Sequence, residues 1–403
     1  MKILLIASHV PPMVGGAPVV YENICRYLKD EIVILAPWRY YLDGQEIKGW
    51  RESDLHQPFE VQRIELLQPL VESAPKNLFV SVLRLICEDF LLYRIVAKEV
   101  LRLIDTTGAD IVCLGDLWGL SWLGEYLRRK RNIPIIHYIH GEEVTTSPDS
   151  FLYSISSKFA LRRAEAVIAV SSFTRSELIR RRVKPERIHL ITNGVNLERF
   201  SPGTKDPEIL CRHGVEGKKV LLTIARVEER KGHDKVIEAL PLILRATHNV
   251  VYLVVGRGGY LETLKTLVKD FGVEDKVVFV GHVPWEDLPR YYRSCDVFIM
   301  PNRFLPNGDT EGFGLVFLEA NACGKPVIGG KAGGVPDAVA DGETGILVDG
   351  NSVEDIAKAA IQLLSNKELA ERMGQAGYKR AQNFSWANKA EEFRQLCMNL
   401  TNK

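Results

Sequence analysis

Short apolar runs alternate with amphipathic stretches along the first half of the chain. Near-continuous apolar runs predict six strands, at residues 2–7, 31–36, 109–114, 133–139, 165–170 and 187–191. Apolar residues at helical spacing predict helices between them, at about 18–29, 77–104, 119–131, 150–163 and 171–182. Because the runs lack polar alternation, we expect parallel strands that are covered on both faces.

The second half repeats this alternation. Apolar runs predict six further strands, at residues 218–225, 250–256, 276–280, 295–300, 325–328 and 345–348. Past residue 350 only helices are predicted, ending in an amphipathic stretch at 386–399. Repeated strand–helix units of this kind predict α/β architecture with two doubly wound sheets.

The length of the chain also favours two domains. A chain of 403 residues exceeds the size at which a single core usually keeps growing. Polar and turn-forming residues run from Asn193 to about residue 217, between the last strand of the first half and the first strand of the second. We therefore predict an N-terminal domain at 1–200, a second domain at 201–385 and a final helical segment at 386–403.

Composition and charge narrow the class of protein. The net charge of +1 carries no electrostatic signature of a nucleic-acid-binding protein. The seven cysteines are odd in number and contain no Cys-x-x-Cys, which favours a reduced, cytoplasmic chain over a disulfide framework or a zinc site. The first apolar run is too short for a signal peptide, and no run approaches a membrane span. The protein is expected in solution or on a membrane surface.

Two carboxylates, Glu311 and Glu319, lie eight positions apart across a glycine turn that opens a predicted helix. The N–H groups of Gly312, Phe313 and Gly314 would be available to an anion at the start of this helix. A carboxylate only accepts hydrogen bonds, so the two glutamates suit hydroxyl groups better than phosphate. This pattern is typical of a clamp for a nucleotide sugar, with one glutamate on the sugar and the other on the ribose.

Arg226 and Lys231 follow the predicted strand 218–225. Open α/β sheets bind ligands at the carboxyl ends of their strands, and an arginine with a lysine suits a pyrophosphate. Taken alone, two such cations also fit a solvated turn. Together with the glutamate pair they favour a diphosphate site.

Six motifs in order carry a family resemblance. They are Gly15-Gly16, His140–Glu143, Asn193–Val195, Arg226 with Lys231, Glu311–Glu319 and Gly333–Pro336. In these residues the chain resembles the retaining glycosyltransferases of family 4. The resemblance implies the GT-B fold, in which two Rossmann-like domains face a central cleft. It implies further that the N-terminal domain binds the acceptor, that the C-terminal domain binds the nucleotide sugar, and that the helix at 386–403 crosses back to the N-terminal domain.

The resemblance also implies roles for residues of the C-terminal domain. Arg226 and Lys231 would stabilise the leaving pyrophosphate, while Glu311 and the amides of Gly312, Phe313, Gly314 and Leu315 would hold the sugar. Glu319 would hold the ribose, and the backbone near Val283 would meet the base.

In the N-terminal domain the resemblance implies that His140 touches the donor sugar. Gly15 and Gly16 would let the first loop approach the diphosphate and the acceptor, although they also fit a plain turn. The predicted catalytic set is therefore His140, Arg226, Lys231 and Glu311. Asn196 and Asp337 depart from the common family pattern and are given no chemical role.

The implied reaction moves a hexosyl unit from a nucleoside diphosphate sugar to an acceptor hydroxyl with retained anomeric configuration. No Asp-x-Asp occurs in the chain, so no metal and no cofactor beyond the sugar donor are predicted. The stretch Asn302–Asp309 resembles the phosphatidylinositol mannosyltransferase branch of the family and implies GDP-mannose, with a UDP-sugar as the alternative. We expect the acceptor to be a lipid-linked or cell-envelope glycan precursor.

A glycine turn, two basic clusters and an apolar stretch each allow two interpretations. Gly256–Gly259 fits either a dinucleotide-binding turn or a plain tight turn. The basic clusters Arg128–Arg131 and Arg180–Arg182 suit solvated helix faces or peripheral contact with anionic lipid on the inner face of the membrane. The apolar stretch 77–104 fits a core helix or one lying on a membrane. A nucleotide-sugar epimerase and a non-catalytic nucleotide-sugar-binding subunit remain as alternative functions.

Overall fold

The structure is a computed structural model that describes residues 1–70, 89–146 and 151–402, including all side chains there except those of 151–154. These residues divide into two compact units, each built on its own parallel sheet. The first unit comprises the described residues of 1–170 and 174–191 together with those from Trp386 onward. The second comprises Ser171–Phe173 and Thr192–Ser385.

Seven strands form the sheet of the first unit, all parallel, in the order β3-β2-β1-β4-β5-β6-β7. The strands are β1 (Ile3–Ile6), β2 (Ile32–Pro37), β3 (Glu60–Ile64), β4 (Ile111–Leu114), β5 (Ile135–Ile139), β6 (Ala166–Ala169) and β7 (Ile188–Leu190). The helices up to β7, followed by the last helix of the chain, are Gly16–Tyr27, Trp50–Leu55, Phe90–Thr107, Leu117–Arg131, Glu142–Thr145, Phe151–Arg163, Ser172–Arg180 and Trp386–Thr401.

Six strands form the sheet of the second unit, again all parallel, in the order β10-β9-β8-β11-β12-β13. They are β8 (Lys219–Ile224), β9 (Val250–Val255), β10 (Val277–Gly281), β11 (Val297–Met300), β12 (Val327–Gly330) and β13 (Gly345–Val348). The helices are Pro207–Arg212, His233–Ala246, Leu261–Asp270, Leu288–Ser294, Leu315–Ala322, Val335–Ala338, Val353–Ser365 and Lys367–Ala381.

The predicted fold class is confirmed, and all twelve predicted strands are present. Every residue of β1 and β2 is buried, so side chains on both faces of the sheet are covered, as the apolar runs predicted. The prediction missed β3, an edge strand whose residues are exposed or half-buried. Such a strand needs no continuous apolar run. The charged residues Glu60 and Arg63 interrupt the apolar residues of β3.

The helix predicted at 77–104 differs from the observed one. Its residues 77–88 lie outside the described ranges, and the described helix is Phe90–Thr107. Gly108 ends this helix in the left-handed conformation, with φ of 65°. Val96 and Val100 point into the core under the sheet, whereas Phe90 and Leu91 are exposed.

Apart from the three residues Ser171–Phe173, the chain passes between the units twice, after Ile191 and after Ser385. The first crossing lies nine residues before the predicted domain boundary at 200, and the second coincides with the predicted one at 385. The helix Trp386–Thr401 belongs to the first unit, where it packs on the helix Gly16–Tyr27. Arg394 Nε of this last helix lies 2.7 Å from Glu31 Oε1. The acceptor and donor roles of the two domains remain predictions.

Each sheet has one topological switch point, where the chain changes the direction in which it adds strands. It lies between β1 and β4 in the first unit and between β8 and β11 in the second. Ligands of doubly wound sheets bind outside the carboxyl ends of the strands at such points. The loops that follow these four strands are therefore where functional side chains are expected. None of the helices in the described ranges is long and apolar enough to span a bilayer.

Candidate functional site

The loop after β8 carries the predicted cations of the second unit. Arg226 follows the strand and is 64% exposed, with Nη1 2.8 Å from Glu228 Oε1. The chain then makes a short 3₁₀ turn, Glu229–Lys231, which leaves Lys231 buried. Gly232 ends the turn at φ of 77°, and a Cβ there would lie 2.2 Å from the carbonyl oxygen of Pro301. Only glycine allows this loop to pack so closely on the loop after β11.

Glu311, from the loop after β11, accepts hydrogen bonds from two cations of the β8 loop. Lys231 Nζ donates to Glu311 Oε2, and Arg230 Nη1 donates to the same oxygen at 3.1 Å. Burial by itself would raise the pKa of Glu311, but the charges of Lys231 and Arg230 outweigh it and lower the pKa to about 2. Glu311 is therefore ionised at neutral pH and can accept hydrogen bonds from hydroxyl groups.

Arg230 is a site residue that the sequence analysis missed. Its buried guanidinium lies 3.1 Å from Glu311 and 3.2 Å from each of two further carboxylates, those of Glu228 and Asp309. The signal in the sequence was its position beside Lys231, at the carboxyl end of a strand. A run of mixed charges there also fits a solvated turn, so the sequence did not distinguish Arg230 from a surface residue.

Arg303 was missed as well, and it fixes the insertion 302–309. Its guanidinium donates to both carboxylate oxygens of Asp234, at 2.9 and 2.8 Å, and both side chains are buried. The Arg303 N–H also donates to the carbonyl of Arg230 at 3.0 Å. A paired arginine fork of this kind holds a loop in one geometry, so the insertion is tied to the start of the helix His233–Ala246.

The glycine turn before the helix Leu315–Ala322 is held by a second glycine pair. Gly314 has φ of 92° and begins the helix. A Cβ on Gly333 would lie 2.1 Å from the Glu311 carbonyl oxygen, and one on Gly334 would lie 1.9 Å from that of Gly312. Gly334 N–H donates to the Glu311 carbonyl at 2.8 Å. The glycines of the Gly333–Pro336 motif therefore shape the turn that presents Glu311.

The predicted sugar-binding amides lie in this turn. Gly312, Phe313, Gly314 and Leu315 lead into the first turn of the helix, and the first N–H groups of a helix have no acceptor within it. Phe313 is buried, so its ring packs inside the unit while its backbone stays in the turn. The second unit thus brings these four residues together with Glu311, Lys231 and Arg230.

Glu319 lies on the helix Leu315–Ala322 and is only 5% exposed. The Tyr292 hydroxyl donates to Glu319 Oε2 at 2.6 Å. Burial raises the pKa of Glu319 to about 7, although the Tyr292 hydrogen bond and the charge of Arg199 oppose this. The structure places Glu319 in the same unit as Glu311, with its carboxylate already oriented by Tyr292.

Val283 is buried in the loop after β10, which is an edge strand of the same sheet. The turn Gly256–Gly259 lies after β9 and packs against the loop that carries Arg226. A Cβ on Gly256 would be 1.9 Å from the Ala225 carbonyl oxygen, and Val227 N–H donates to the Arg257 carbonyl at 2.9 Å. These contacts support the tight-turn interpretation of the glycines.

In the first unit, His140 follows β5 and has a defined orientation. Its ring stacks on Tyr138 with centroids 5.1 Å apart, and its Nε2 lies 2.8 Å from the Tyr21 hydroxyl. Glu143 accepts the backbone N–H of His140 at 3.2 Å. Burial lowers the pKa of His140 to about 4, although the charge of Asp116 opposes this. The imidazole is therefore neutral at neutral pH.

Gly15 and Gly16 open the helix Gly16–Tyr27. A Cβ on Gly16 would meet no atom within 4 Å, and one on Gly15 would contact only Pro18, at 3.6 Å. Packing within the chain therefore does not require glycine at position 16. Its proposed role in letting a ligand approach stays a prediction.

His9 and Asp116 form a pair that the sequence analysis did not identify. They follow β1 and β4, the two strands at the switch point of the first sheet, and His9 Nδ1 lies 3.3 Å from Asp116 Oδ1. Ser8 N–H also donates to the Asp116 carboxylate. The His9 ring meets Tyr41 edge to face, with centroids 5.7 Å apart. Burial would lower the pKa of His9, but the Asp116 carboxylate raises it overall.

The sequence signal for this pair is the position of each residue relative to a strand. His9 and Asp116 lie within three positions of the end of an apolar strand, where a parallel sheet presents functional side chains. Only the strand order shows that β1 and β4 are neighbours, and therefore that the two side chains can meet. Within the described ranges, no group of three histidine, cysteine or acidic side chains could hold a metal ion.

Two family models together match most of the chain. Residues 14–199 match Glycosyltransferase Family 4, and residues 208–380 match Glycosyl transferases group 1. The first match contains His140 with Gly15 and Gly16, and the second contains Arg226, Lys231 and both glutamates.

Curated relatives cover the chain at moderate identity. A GDP-mannose-dependent alpha-(1-6)-phosphatidylinositol monomannoside mannosyltransferase of Mycolicibacterium smegmatis is 36% identical over 311 residues, which are 75% of this chain and 79% of that protein. A GDP-mannose-dependent monoacylated alpha-(1-6)-phosphatidylinositol monomannoside mannosyltransferase of Corynebacterium glutamicum is 32% identical over 398 residues, which are 96% of this chain and 94% of that protein. These transferases do not favour the epimerase or the non-catalytic subunit.

Solved structures share the fold. Anabaena HepE, crystallised with UDP, superposes with a TM-score of 0.77 at 20% identity, covering 99% of this chain and all of that one. WaaG, a glycosyltransferase involved in lipopolysaccharide biosynthesis, superposes with a TM-score of 0.67 at 18% identity, covering 98% and 99% of the two chains. With the relatives above, these findings show that the chain is a glycosyltransferase of family 4 with the GT-B fold, similar to the phosphatidylinositol mannosyltransferases.

Proposed function

We propose that this glycosyltransferase moves a mannosyl unit from GDP-mannose to an acceptor hydroxyl with retention of anomeric configuration. The observation that carries the proposal is the cluster of Lys231, Arg230 and Glu311 at the switch point of the second sheet. It combines cations for a diphosphate with an ionised carboxylate for sugar hydroxyls. The choice of mannose rests on the GDP-mannose dependence that the relatives' names state.

In this proposal the donor lies along the carboxyl ends of β8, β10 and β11. Arg226 and Lys231 bind the pyrophosphate, and Glu311 with the N–H groups of 312–315 binds the sugar. Glu319 accepts hydrogen bonds from the ribose, and the backbone near Val283 meets the base. Support comes from the burial and orientation of Glu311 and Glu319 by Arg230 and Tyr292, since such preorganisation lowers the cost of binding.

We propose a same-face substitution for the chemical step. The bond between the anomeric carbon and the leaving phosphate breaks while the acceptor oxygen bonds to the same face of the carbon. The departing phosphate takes the acceptor's proton, and Arg226 with Lys231 stabilises the charge that develops on it. These cations take the place of a metal in the proposal. His140 contacts the donor sugar as a neutral ring, which Tyr21 and Tyr138 hold in position.

For the acceptor we propose the switch point of the first sheet. His9 and Asp116 offer donors and acceptors to a hydroxyl-bearing group, and Tyr40 and Tyr41 add an aromatic wall. The relatives' names point to a phosphatidylinositol mannoside, so the proposed acceptor is a lipid-linked glycan precursor. Gly15 and Gly16, in the loop after β1, would allow its close approach.

A lipid acceptor also requires contact with a membrane, and we propose a peripheral one on the cytoplasmic face. Phe90, Leu91 and Ile95 of the helix Phe90–Thr107 are exposed, and Arg94 lies over the Phe90 ring at 5.3 Å. Apolar side chains beside cations are typical of surfaces that rest on anionic lipid. Each cation near such a surface contributes about 1 kcal/mol.

The donor is tested by thermal stabilisation with GDP-, UDP-, ADP- and dTDP-sugars. A ligand at 100 times its dissociation constant should stabilise the protein by about 2.7 kcal/mol. We expect GDP-mannose to give the largest shift, and mannose transfer to a phosphatidylinositol mannoside should yield an α-linked product by NMR. A larger shift with a UDP-sugar would contradict the proposed donor, and an inverted product would contradict retention.

The acceptor site is tested with His9→Ala. Losing the imidazole should raise the acceptor KM about tenfold or more and leave the donor KM near that of the wild type, since leaving a buried hydrogen-bonding group without its partner costs about 1–3 kcal/mol. His248→Ala, an exposed histidine in the turn before β9, is the control. An unchanged acceptor KM in His9→Ala would contradict the assignment.

Membrane contact is tested by co-sedimentation with vesicles. Binding to anionic phospholipid should exceed binding to zwitterionic phospholipid and weaken as salt rises. Leu91→Glu should reduce it, because the substitution places a negative charge on the exposed apolar face. Equal binding to both vesicle types, or none to either, would contradict the membrane proposal and leave the donor site unaffected.

A further inference from the structure

Arg230 makes more ionic contacts than the proposed donor site requires. Its guanidinium reaches Glu228, Asp309 and Glu311 at 3.1–3.2 Å, while the proposal assigns the diphosphate to Arg226 and Lys231. The side chain is buried, so it is not a solvated surface charge. Its partners come from the loops after both strands of the switch point.

The carboxylate of Glu311 is shared between two cations. Lys231 and Arg230 both donate to Oε2, so either can neutralise Glu311 if the other leaves. The cluster holds three cations, Arg226 and these two, and three carboxylates, which are Glu228, Asp309 and Glu311. Its formal charge is therefore zero before a donor arrives.

A diphosphate that enters this neutral cluster must recruit a cation from an existing ion pair. If Lys231 left Glu311 with no other partner nearby, a buried carboxylate would lose its counter-charge, which is strongly unfavourable. Arg230 removes this obstacle, because it already contacts Glu311 and stays in place. Its backbone carbonyl accepts the Arg303 N–H at 3.0 Å, and its fork is bound to three carboxylates. Lys231, a compact ammonium on a flexible stem, is the cation that can turn.

We propose that Arg230 is a positioning residue that holds Glu311 fixed while Lys231 turns from Glu311 to the diphosphate of the donor. This inference rests on the proposed function and adds a residue to the same site. Arg230 contacts neither diphosphate nor sugar in this scheme. It acts through Glu311, by keeping that carboxylate paired and oriented for the sugar hydroxyls.

The test compares Arg230→Met with Arg290→Met. Arg290 also contacts three carboxylates of the second unit, Asp206, Glu208 and Asp287, at 2.7, 2.6 and 3.4 Å. It lies on the helix that precedes β11, and none of its three partners belongs to the loops after β8 and β11 that hold Lys231 and Glu311. We expect Arg230→Met to lower kcat/KM for the donor roughly 30-fold or more, mainly through the donor KM. Arg290→Met should stay within about twofold of the wild type, and Arg230→Lys should recover part of the loss.

A pH series separates positioning from a general loss of structure. The groups that face Glu311 are Lys231 and Arg230 from the β8 loop and Asp309 from its own loop. In the wild type, both cations keep Glu311 ionised from pH 8 to pH 5, so donor affinity should change over this range only through Glu319, whose pKa is about 7. In Arg230→Met, burial and the nearby Asp309 should raise the pKa of Glu311, so affinity should fall further as the pH drops. A structural defect would weaken binding equally at every pH.

The outcomes are distinguishable. A wild type that binds no nucleotide sugar contradicts the proposed function. An active wild type with an unchanged donor KM in Arg230→Met, or an equal loss in Arg290→Met, overturns the role of Arg230 alone. Should Arg230→Met fail to fold, Arg230→Gln carries the same test, because it removes the charge and keeps hydrogen bonds to the carboxylates. Failure of both neutral variants to fold would also overturn the proposal, since Arg230 would then serve the fold.

Discussion

The carboxylate of Glu311 illustrates how a residue's role depends on its partners. Its spacing from Glu319 predicted contact with hydroxyl groups, and its lowered pKa is consistent with an acceptor that stays ionised. In the structure the same carboxylate neutralises Lys231 and Arg230. Without Glu311, the two buried cations would repel each other, so this carboxylate balances their charge.

Lys231→Ala and Arg226→Ala should each lower kcat roughly 100-fold. The charge that these residues stabilise develops mainly in the transition state, and the loss of one preorganised contact of this kind costs about 3 kcal/mol. Steady-state kinetics with GDP-mannose measures the effect. Lys235→Ala is the matched control, since Lys235 is paired with Glu238 on the following helix. Wild-type turnover in both site variants would refute the cation assignment.

Glu319→Gln should stabilise the second unit and weaken donor binding. The pKa of Glu319 is about 7 in the folded protein and 4.5 in the unfolded chain, so the folded state holds a proton more tightly between these values. Wild-type stability from this group is present below pH 4.5 and is lost as the pH rises to 7, by roughly 3 kcal/mol in total. Glutamine cannot ionise and avoids this loss.

Urea unfolding of both proteins at pH 4.5 and pH 8 measures the difference. The stability advantage of Glu319→Gln should grow between the two values, and its affinity for GDP-mannose should fall below that of the wild type at pH 8, where wild-type Glu319 is ionised. An advantage that is constant with pH would mean that Glu319 titrates normally in the folded protein.

At the scale of elements, the ends of strands and the turns that follow them build the proposed donor site. The backbone of Pro301 and Asn302 is enclosed by glycines of the loops after β8 and β13 and of the end of β12. A Cβ on Gly232, Gly330 or Gly350 would lie 1.7–2.4 Å from one of their carbonyl oxygens. Close approach of backbones is what glycine permits, so the loops after β8, β11 and β13 and the end of β12 are positioned by contact with one another.

Gly334→Ala should displace the glycine turn and raise the donor KM about tenfold. The backbone of Gly334, with φ of −87°, suits alanine, so the effect is purely steric. The new Cβ would lie 1.9 Å from the Gly312 carbonyl oxygen, and overpacking of this kind costs about 1–3 kcal/mol. Steady-state kinetics measures the donor KM, and thermal unfolding measures the loss of stability.

Gly259→Ala is the control, because a Cβ there would meet no atom within 4 Å. It should match the wild type in donor KM and in melting temperature. A normal donor KM in Gly334→Ala would show that the turn can shift without disturbing Glu311.

On the scale of the whole molecule, the chain completes its first unit with its last helix. Phe393 of Trp386–Thr401 is buried and lies near Tyr138 of β5, with ring centroids 6.3 Å apart. The first unit therefore depends on residues more than 190 positions beyond its last strand, since β7 ends at Leu190 and the helix begins at Trp386. Each unit keeps its own core.

Phe393→Ala should destabilise the first unit by about 3–5 kcal/mol, the usual cost of removing a buried aromatic ring. Amide hydrogen exchange should accelerate in β4, β5 and β6 while β8 to β13 keep wild-type protection. Gln395→Ala, at an exposed position of the same helix, should change neither. Faster exchange confined to β8 to β13 would contradict the assignment of this helix to the first unit.

Local sequence predicted the elements well, because burial of a parallel strand on both faces demands an apolar run. Of the thirteen strands in the residues that the structure describes, twelve follow such runs, and the edge strand β3, with Glu60 and Arg63, lacks one. The glycine turn and the glutamate spacing predicted that Glu311 lies before a helix and Glu319 within it. A helix start and its first two turns are local features, so the sequence alone could indicate them.

The partners of those residues could not be predicted from local patterns. His9 meets Asp116 only because β1 and β4 are neighbours, and Arg230 meets Glu311 only because β8 and β11 are. By itself the sequence determined the fold class, the family and the residue types of the donor site, because these depend on periodicity and motif order. Tertiary structure decided which charges share a carboxylate, because strand order and burial fix distances and pKa values that no spacing along the chain contains.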